Sequence, residues 1–424
     1  MLAPVGARGS DRVRIDDDVH NPRGFLRQPP RPARPGRLQF HDGTLVVSTS
    51  DAGRRVALAP AGIVDGSART LRRLHHLDLT GALARPRAVR RPVATARLLA
   101  TLCARGVPLV TGELPPEVRA MLHSDVVDIL QSASAELLDD PLMREALAVR
   151  QRRAVFRRHV DRPLRTVSVL AATHRPYLVD RVAAVVGAQR HVDAELVLVT
   201  HGFALRRREI RRVRHLAGIP VTVREADADA LLGDVLNLAV EAAGGQIVTK
   251  LDDDDHYGRH HLEDLVHSLA WSGATLVGAV DEFTHLAAPD LTLRHRRPPR
   301  QEITRRRVPG PTMTIRRADL VALGGWARVP AHVDRELNDT VHDAGGAAHC
   351  THGLGFVRCR HGDRHTWSIS DEQLLRSAVE SWPGLRPPPE LYVVADTQRL
   401  ASLSSQRPTT RDMNSGCGWK PIEA

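Results

Sequence analysis

Aromatic residues make up 3% of this 424-residue chain, too few for the stacking platforms that hold single-stranded nucleic acid. Four cysteines over this length build no disulfide framework, and a reducing cytoplasm is the expected compartment. No apolar run approaches the roughly 18 residues of a membrane span. The opening MLAPVGARGSDRVRIDDD has no apolar stretch behind a basic start and does not read as a secretory signal. Acidic residues are outnumbered: Lys+Arg 60 against Asp+Glu 49 leaves a net charge of +11 and a pI near 10.6. The excess is almost wholly arginine. It favours anionic partners, with phosphate-bearing small substrates or membrane lipids ahead of nucleic acid.

What is present is enough for a core. Hydrophobic residues are 42% of the chain, which argues against wholesale disorder, and the length suggests two or three domains. Residues 1–37 are rich in Pro, Arg, Gly and Asp without apolar period, and read as a disordered basic arm. Residues 38–160 read as an accessory module, small and α/β or mostly helical. Asp42-Gly43 signals a hairpin between strands at about 38–40 and 45–48. VATARLLATLCARGVPLV reads as a helix, a stop at Gly106 and a short strand, and Asp140-Pro141 as the cap and first residue of a later helix. Residues 371–424 form a helical or irregular extension.

Between them, in residues 161–370, the pattern changes. RTVSVLAAT, ELVLVTHG, IPVTVREA and QIVTKL read as strands alternating with helices of about 10–15 residues. That alternation predicts an α/β fold with a Rossmann-like, mostly parallel sheet flanked by helices. Ligands of such sheets bind beyond the carboxyl ends of the strands. The fourth strand runs straight into Asp252, Asp253, Asp254 and Asp255. Two carboxylates about 5 Å apart repel by roughly 3 kcal/mol at an effective dielectric near 20, so four together call for a cation. In extended chain Asp252 and Asp254 share one face, Asp253 and Asp255 the other. Hard oxygen ligands with open positions suit Mg²⁺ or Mn²⁺ on a diphosphate.

Residues from about 166 to 367 resemble a family 2 glycosyltransferase of the GT-A fold. The resemblance is carried by VSVLAATHRP, LVTHG, LGDVLNLAVEAAGGQIVTKLDDDDHYG, GPTMTIRRADLVALGGW and RHTW. It implies inverting transfer of a sugar from a nucleotide-sugar, usually a UDP-sugar, with a divalent metal on the diphosphate. The implied acceptor is a surface glycan or its lipid carrier, and the implied location is the cytoplasm or the inner face of the membrane. By the resemblance, Thr173 and Arg175 meet the nucleotide and Asn237 flanks the donor. Asp252 lies near the ribose or metal, Asp254 ligates the metal, and His365 is a third ligand or touches the diphosphate, unless it is an ordinary hydrogen-bonded histidine. The catalytic base is Asp334 or Glu336, with Asp334 as a mere N-cap standing against it. Tyr257 and Trp326 are the candidate acceptor contacts, core packing being the other reading of Trp326. Where the family usually has an Asp-rich turn, this chain has Thr200-His201-Gly202, which leaves the donor's base open.

Three further features have two readings each. Cys350, His352, Cys359, His361 and His365 make a zinc pattern of unusual spacing or a strand pair returning to the site. TLRHRRPPRQEITRRRV is a solvated loop or a mobile lid over an anionic ligand. LRRREIRRVRHL is an exposed basic face or a contact with anionic membrane. A nucleotidyltransferase of similar fold, which would need a second metal site or a lysine near the α-phosphate, Lys250 being the only lysine in this region, and a non-catalytic binding module are the rival functions.

Overall fold

The computed structural model describes residues 36–41, 44–49, 55–58, 74–84, 89–159, 166–295, 304–305, 307–361, 369–386, 388 and 390. The basic arm, apart from Gly36 and Arg37, and the end of the extension therefore lie outside the described residues.

The accessory module builds a five-stranded sheet in the order β3-β2-β1-β4-β5. Its strands are β1 (Gly36–His41), β2 (Thr44–Thr49), β3 (Arg55–Leu58), β4 (Leu77–Asp78) and β5 (Leu109–Val110). β1 and β2 pair antiparallel with His41 opposite Thr44, as a two-residue connection requires. Helix α1 (Pro92–Ala104) ends before Gly106, whose φ of 70° is left-handed. Helix α2 (Pro141–His159) starts where Asp140 Oδ1 accepts the Leu142 amide at 2.7 Å. The core of this module, including Leu99, Leu102, Leu109 and Val155, also takes in Trp271 from the next domain.

The second domain centres on an eight-stranded sheet in the order β14-β16-β11-β15-β9-β6-β7-β8. Its members are β6 (Thr166–Thr173), β7 (Asp193–His201), β8 (Val221–Ala226), β9 (Ile247–Leu251), β11 (Leu276–Ala279), β14 (Thr304–Arg305), β15 (Thr314–Arg316) and β16 (Ala348–Thr351). β8, β7, β6 and β9 run parallel, and only β15 and β14 run against the rest. Parallel neighbours need crossovers, and helices α3 (Val179–Gly187), α4 (Arg207–Ala217) and α5 (Leu232–Ala242) supply them. Buried on both faces, β9 has no exposed residue. Leu170 and Val248 face the core under α5 and α7 (Val333–Asp343), while Val169, Ala171 and Leu251 face the core with α3. Helix α6 (His261–Ser272) covers the second face as well.

A second sheet, β10-β17-β12-β13-β18, stands beside the first. It comprises β10 (His256–Tyr257), β12 (Phe283–Leu286), β13 (Leu291–His295), β17 (Phe356–Arg360) and β18 (Ala378–Pro383). Two expectations are corrected here. The start of the arginine-rich segment is not loop: β13 is an inner strand, and Arg294 is fully buried between Glu145, Glu282 and Glu380. The carboxylates satisfy its charge, which composition alone did not anticipate. The extension is also not merely helical or irregular, since β18 pairs with β13 and completes the sheet.

Candidate active site

The site forms where the parallel strands end. Thr173 is the last residue of β6, and the acidic run follows β9. The run splits as its alternation predicts: Asp253 and Asp255 are buried, while Asp252 and Asp254 are partly exposed. Asp253 accepts the Thr173 hydroxyl at 2.5 Å and the Arg175 Nε–H at 3.1 Å. A second Arg175 nitrogen also donates to Asp253, and Nη1 donates to Asp254 at 2.9 Å. Arg181 donates to the main-chain carbonyls of Asp253 and Asp255. Asp255 accepts the Cys359 amide at 2.7 Å. Asp252 receives the Lys250 ammonium. Its amide donates to the Tyr257 hydroxyl at 2.9 Å, which donates to the Pro311 carbonyl at 3.1 Å.

Among the described residues, Arg175 and Lys250 pair directly with carboxylates of the run, while Arg181 holds its main-chain carbonyls and the neighbouring Arg358 pairs with Asp281 at 3.0 Å. Compensation is incomplete. Burial first, and then the Asp254 charge, push the Asp253 carboxyl up despite Arg175. Burial and Asp254 push Asp255 well above the ordinary carboxylate range.

Asp334 comes to this edge from α7. The N-cap of α7 is His332, at φ 64°, so Asp334 lies inside the first turn and does not cap it. The N-cap reading is corrected on that ground. A Cβ placed on Gly310 would fall 2.5 Å from Asp334 Oδ2, so only glycine lets the carboxylate settle against this turn. The turn is Gly310–Thr312, which also carries the carbonyl that accepts from Tyr257. Glu336, two residues on, is exposed and points to a different side of the helix.

Other expected positions take structural roles. Asn237 clamps the backbone of Trp326, accepting its amide at 2.8 Å and donating to its carbonyl at 2.9 Å. This close approach needs Gly325, at φ 80°, where a Cβ would meet Asn237 Oδ1 at 2.6 Å. With both amide ends committed, Asn237 is not positioned as a donor contact. Trp326 is 2% exposed in the core under α5 and α7. Tyr257 is also buried and braces Asp252. Neither offers a ring to an acceptor, which corrects both acceptor expectations. His365 lies outside the described residues, as does most of the arginine-rich segment beyond His295. The zinc pattern does not gather among the described residues. Cys350 faces the Arg307 carbonyl, His352 pairs with Asp264 at 3.1 Å, and Cys359 lies beside Asp255. Arg181 and the Cys359 amide were not anticipated, and no local motif marks them. Lys250 was visible as the lysine before the acidic run.

No protein-family model matches the sequence, and no curated protein matches it. Solved structures do. A mannosyltransferase, PcManGT from Pyrobaculum calidifontis in complex with GDP-Man and Mn²⁺, is 18% identical, with a TM-score of 0.36 over 48% of this chain and 59% of that one. S. aureus TarS 1-349 in complex with UDP-GlcNAc is 15% identical, with a TM-score of 0.38 over 50% of this chain and 64% of that one. The chain thus spans about three fifths of the length of these structures.

Proposed function

We propose that this chain is a metal-dependent, inverting glycosyltransferase of the GT-A type. It moves a sugar, of hexosyl type, from a nucleotide-sugar, expected to be a UDP-sugar, to a hydroxyl of a surface-glycan or lipid-linked acceptor. The observation that supports it is the meeting of Thr173, Arg175 and the acidic run with Asp334 at one carboxyl-end sheet edge. In this reading Asp334 takes the proton from the acceptor hydroxyl. The acceptor oxygen then bonds to the anomeric carbon, and the bond to the diphosphate oxygen breaks with its electron pair leaving on the diphosphate. Arg175 orients the donor side by fixing Asp253 and Asp254.

The two partly exposed carboxylates, Asp252 and Asp254, are a hard oxygen pair that fits Mn²⁺ or Mg²⁺, ions content with one or two carboxylates plus phosphate. Such an ion would neutralise the charge on the departing diphosphate. Peripheral attachment to an anionic membrane is supported by α4, which exposes Arg207, Arg208, Arg211, Arg212 and Arg214, each worth about 1 kcal/mol near such a surface.

Lys250 at the same edge also keeps the nucleotidyltransferase reading in play. The two differ in product: free nucleoside diphosphate for sugar transfer, pyrophosphate for nucleotidyl transfer. The test is a thermal-shift screen of UDP-, GDP-, TDP- and CDP-sugars with and without Mn²⁺, followed by assay of released nucleoside diphosphate. Ligand at about 100 times its Kd stabilises by about 2.7 kcal/mol. No stabilisation by any of them would overturn the proposal.

A further inference from the structure

His191, His260 and Glu263 lie outside the acidic edge, and one ligand atom from each falls within 4.8 Å of the other two. His191 sits in the turn between α3 and β7, at the amino end of β7, whereas the acidic run follows the carboxyl end of the parallel strand β9. His260 is the N-cap of α6, and Glu263 is in its first turn. Three hydrogen bonds clamp the two segments together. The Arg190 amide donates to the Arg259 carbonyl at 2.8 Å. The Gln189 side chain donates to the Gly258 carbonyl at 3.0 Å and accepts the Leu262 amide at 3.1 Å. His191 takes a left-handed φ of 59°, uncommon for a residue with a Cβ. The imidazole rings of His191 and His260 stack 4° from parallel, with centroids 5.6 Å apart. His260 Nδ1 lies 2.8 Å from Glu263 Oε2.

We propose that His191, His260 and Glu263 bind a Zn²⁺ ion at a site separate from the acidic edge. The donor set selects the ion. Two imidazoles and one carboxylate suit zinc, whereas Mg²⁺ and Mn²⁺ favour carboxylates, carbonyls and water. Tetrahedral bonds to zinc of about 2.0–2.2 Å put ligand atoms roughly 3.3 Å apart. The ion therefore takes the place of the proton between His260 and Glu263, which part by about 0.5 Å, and draws in His191, the exposed member of the set. Glu263 is already held from behind: Arg157 donates to its two oxygens at 2.7 and 2.9 Å. Metal-binding carboxylates are commonly hydrogen-bonded in this way. The Arg157 charge works against a second cation, but Asp125, at 3.4 Å, shares it. Three protein ligands leave a fourth position for water. Arg157 belongs to α2 and Glu263 to α6, so the ion braces the seam between the accessory module and the second domain. The site is independent of sugar transfer and does not rest on that reading.

The experiment uses the full chain stripped of metal by a chelator. Zn²⁺ binding is read by calorimetry and Co²⁺ binding by its visible absorption. The parent should take up one Zn²⁺ here that excess Mg²⁺ does not displace. His191→Asn keeps a residue that tolerates the left-handed region, and His260→Gln keeps a donor for Glu263. Both should melt like the metal-free parent and lose Zn²⁺ affinity by at least about tenfold, the least that an outer partner of a metal ligand is worth. Asp254→Ala, which alters the acidic edge, should leave this binding unchanged. X-ray absorption of the zinc-loaded parent needs no variant. It should show nitrogen and oxygen neighbours at about 2.0–2.2 Å and no sulfur at about 2.3 Å. No Zn²⁺ uptake by the parent, parent-like affinity in either histidine variant, a sulfur neighbour, or loss of binding in Asp254→Ala would each overturn the proposal.

Discussion

Among the described residues, two buried clusters of carboxylates and arginines behave in opposite ways. At the junction of α2 with α6, Arg153 holds Asp264 through two bonds of 2.8 Å and Glu390 at 2.6 Å. Arg157 holds Glu263 at 2.7 and 2.9 Å, and Arg150 adds a second bond to Glu390. Burial pushes these acids up, but the arginines outweigh it: Asp264 is held well below the ordinary range, and Glu263 and Glu390 are lowered too. At the strand end the same residue types leave Asp253 and Asp255 raised. The difference is stoichiometry and spacing. The junction matches each acid to an arginine from another element. The strand end puts four acids in succession on one chain, and the like charge of Asp254 adds to burial at both Asp253 and Asp255. The first arrangement staples a module in place. The second leaves two carboxyl groups biased toward the neutral acid, the kind of perturbation that clusters at functional sites.

The sharpest way to break this contrast is at Asp334. Asp334→Asn should lower turnover by about 10²–10⁴, the worth of a general base, with melting close to the parent because the residue caps nothing. If that variant turns over normally and Glu336→Gln does not, the base is Glu336.

At the junction the reverse is expected. Arg153→Met leaves Asp264 and Glu390 buried without their main partner, and breaking such a set typically costs about 3–5 kcal/mol. Denaturant unfolding should show that loss, while turnover per folded molecule stays near the parent's. A variant that melts normally but loses activity would put Arg153 on the functional side of the comparison.

A smaller effect is expected at Asp254. Asp254→Ala frees Arg175 from one of its two partners and leaves Asp253 to hold it. The fold should persist. The extra stabilisation that Mn²⁺ gives a nucleoside diphosphate complex, up to about 2.7 kcal/mol at 100 times Kd, should fall to the level of the nucleotide alone. Unchanged Mn²⁺-dependent turnover would remove Asp254 from the metal site.

The smallest effect is on pH. Asp264, Glu263 and Glu390 have folded-state pKa values below those of the unfolded chain, about 3.9–4.3. Their stabilisation is complete above the unfolded values and is lost as pH falls through the folded ones. Melting of the parent should therefore be flat with respect to these groups near neutrality and decline below about pH 4. Arg153→Met should flatten that decline. An equal acid slope in parent and variant would refute the linkage.

Much of the fold was legible because its signals are local. Alternating apolar strands and helices, Gly106, and Asp140 before Pro141 each act within a few residues, and all appear where expected. The burial parity of the acidic run follows the alternation expected of extended chain, although β9 itself ends at Leu251. The roles of Asn237 and Trp326 were not legible, because a carboxamide can clamp a backbone or meet a ligand, and an indole can fill a core or face a sugar ring.

What the chain order determined by itself is the parallel sheet and the edge at which Thr173, Arg175 and the four aspartates emerge. Periodicity and crossover length leave little alternative there. What only the tertiary structure decided is how those charges are answered. Arg181 comes from a helix 72 residues before the carbonyl of Asp253 that it binds, and the Cys359 amide from a strand 104 residues after Asp255. Arg153 reaches Glu390 across 237 residues. Electrostatic pairing depends on distance in space and on the loss of water around the pair, and neither quantity is written in the spacing of residues along the chain.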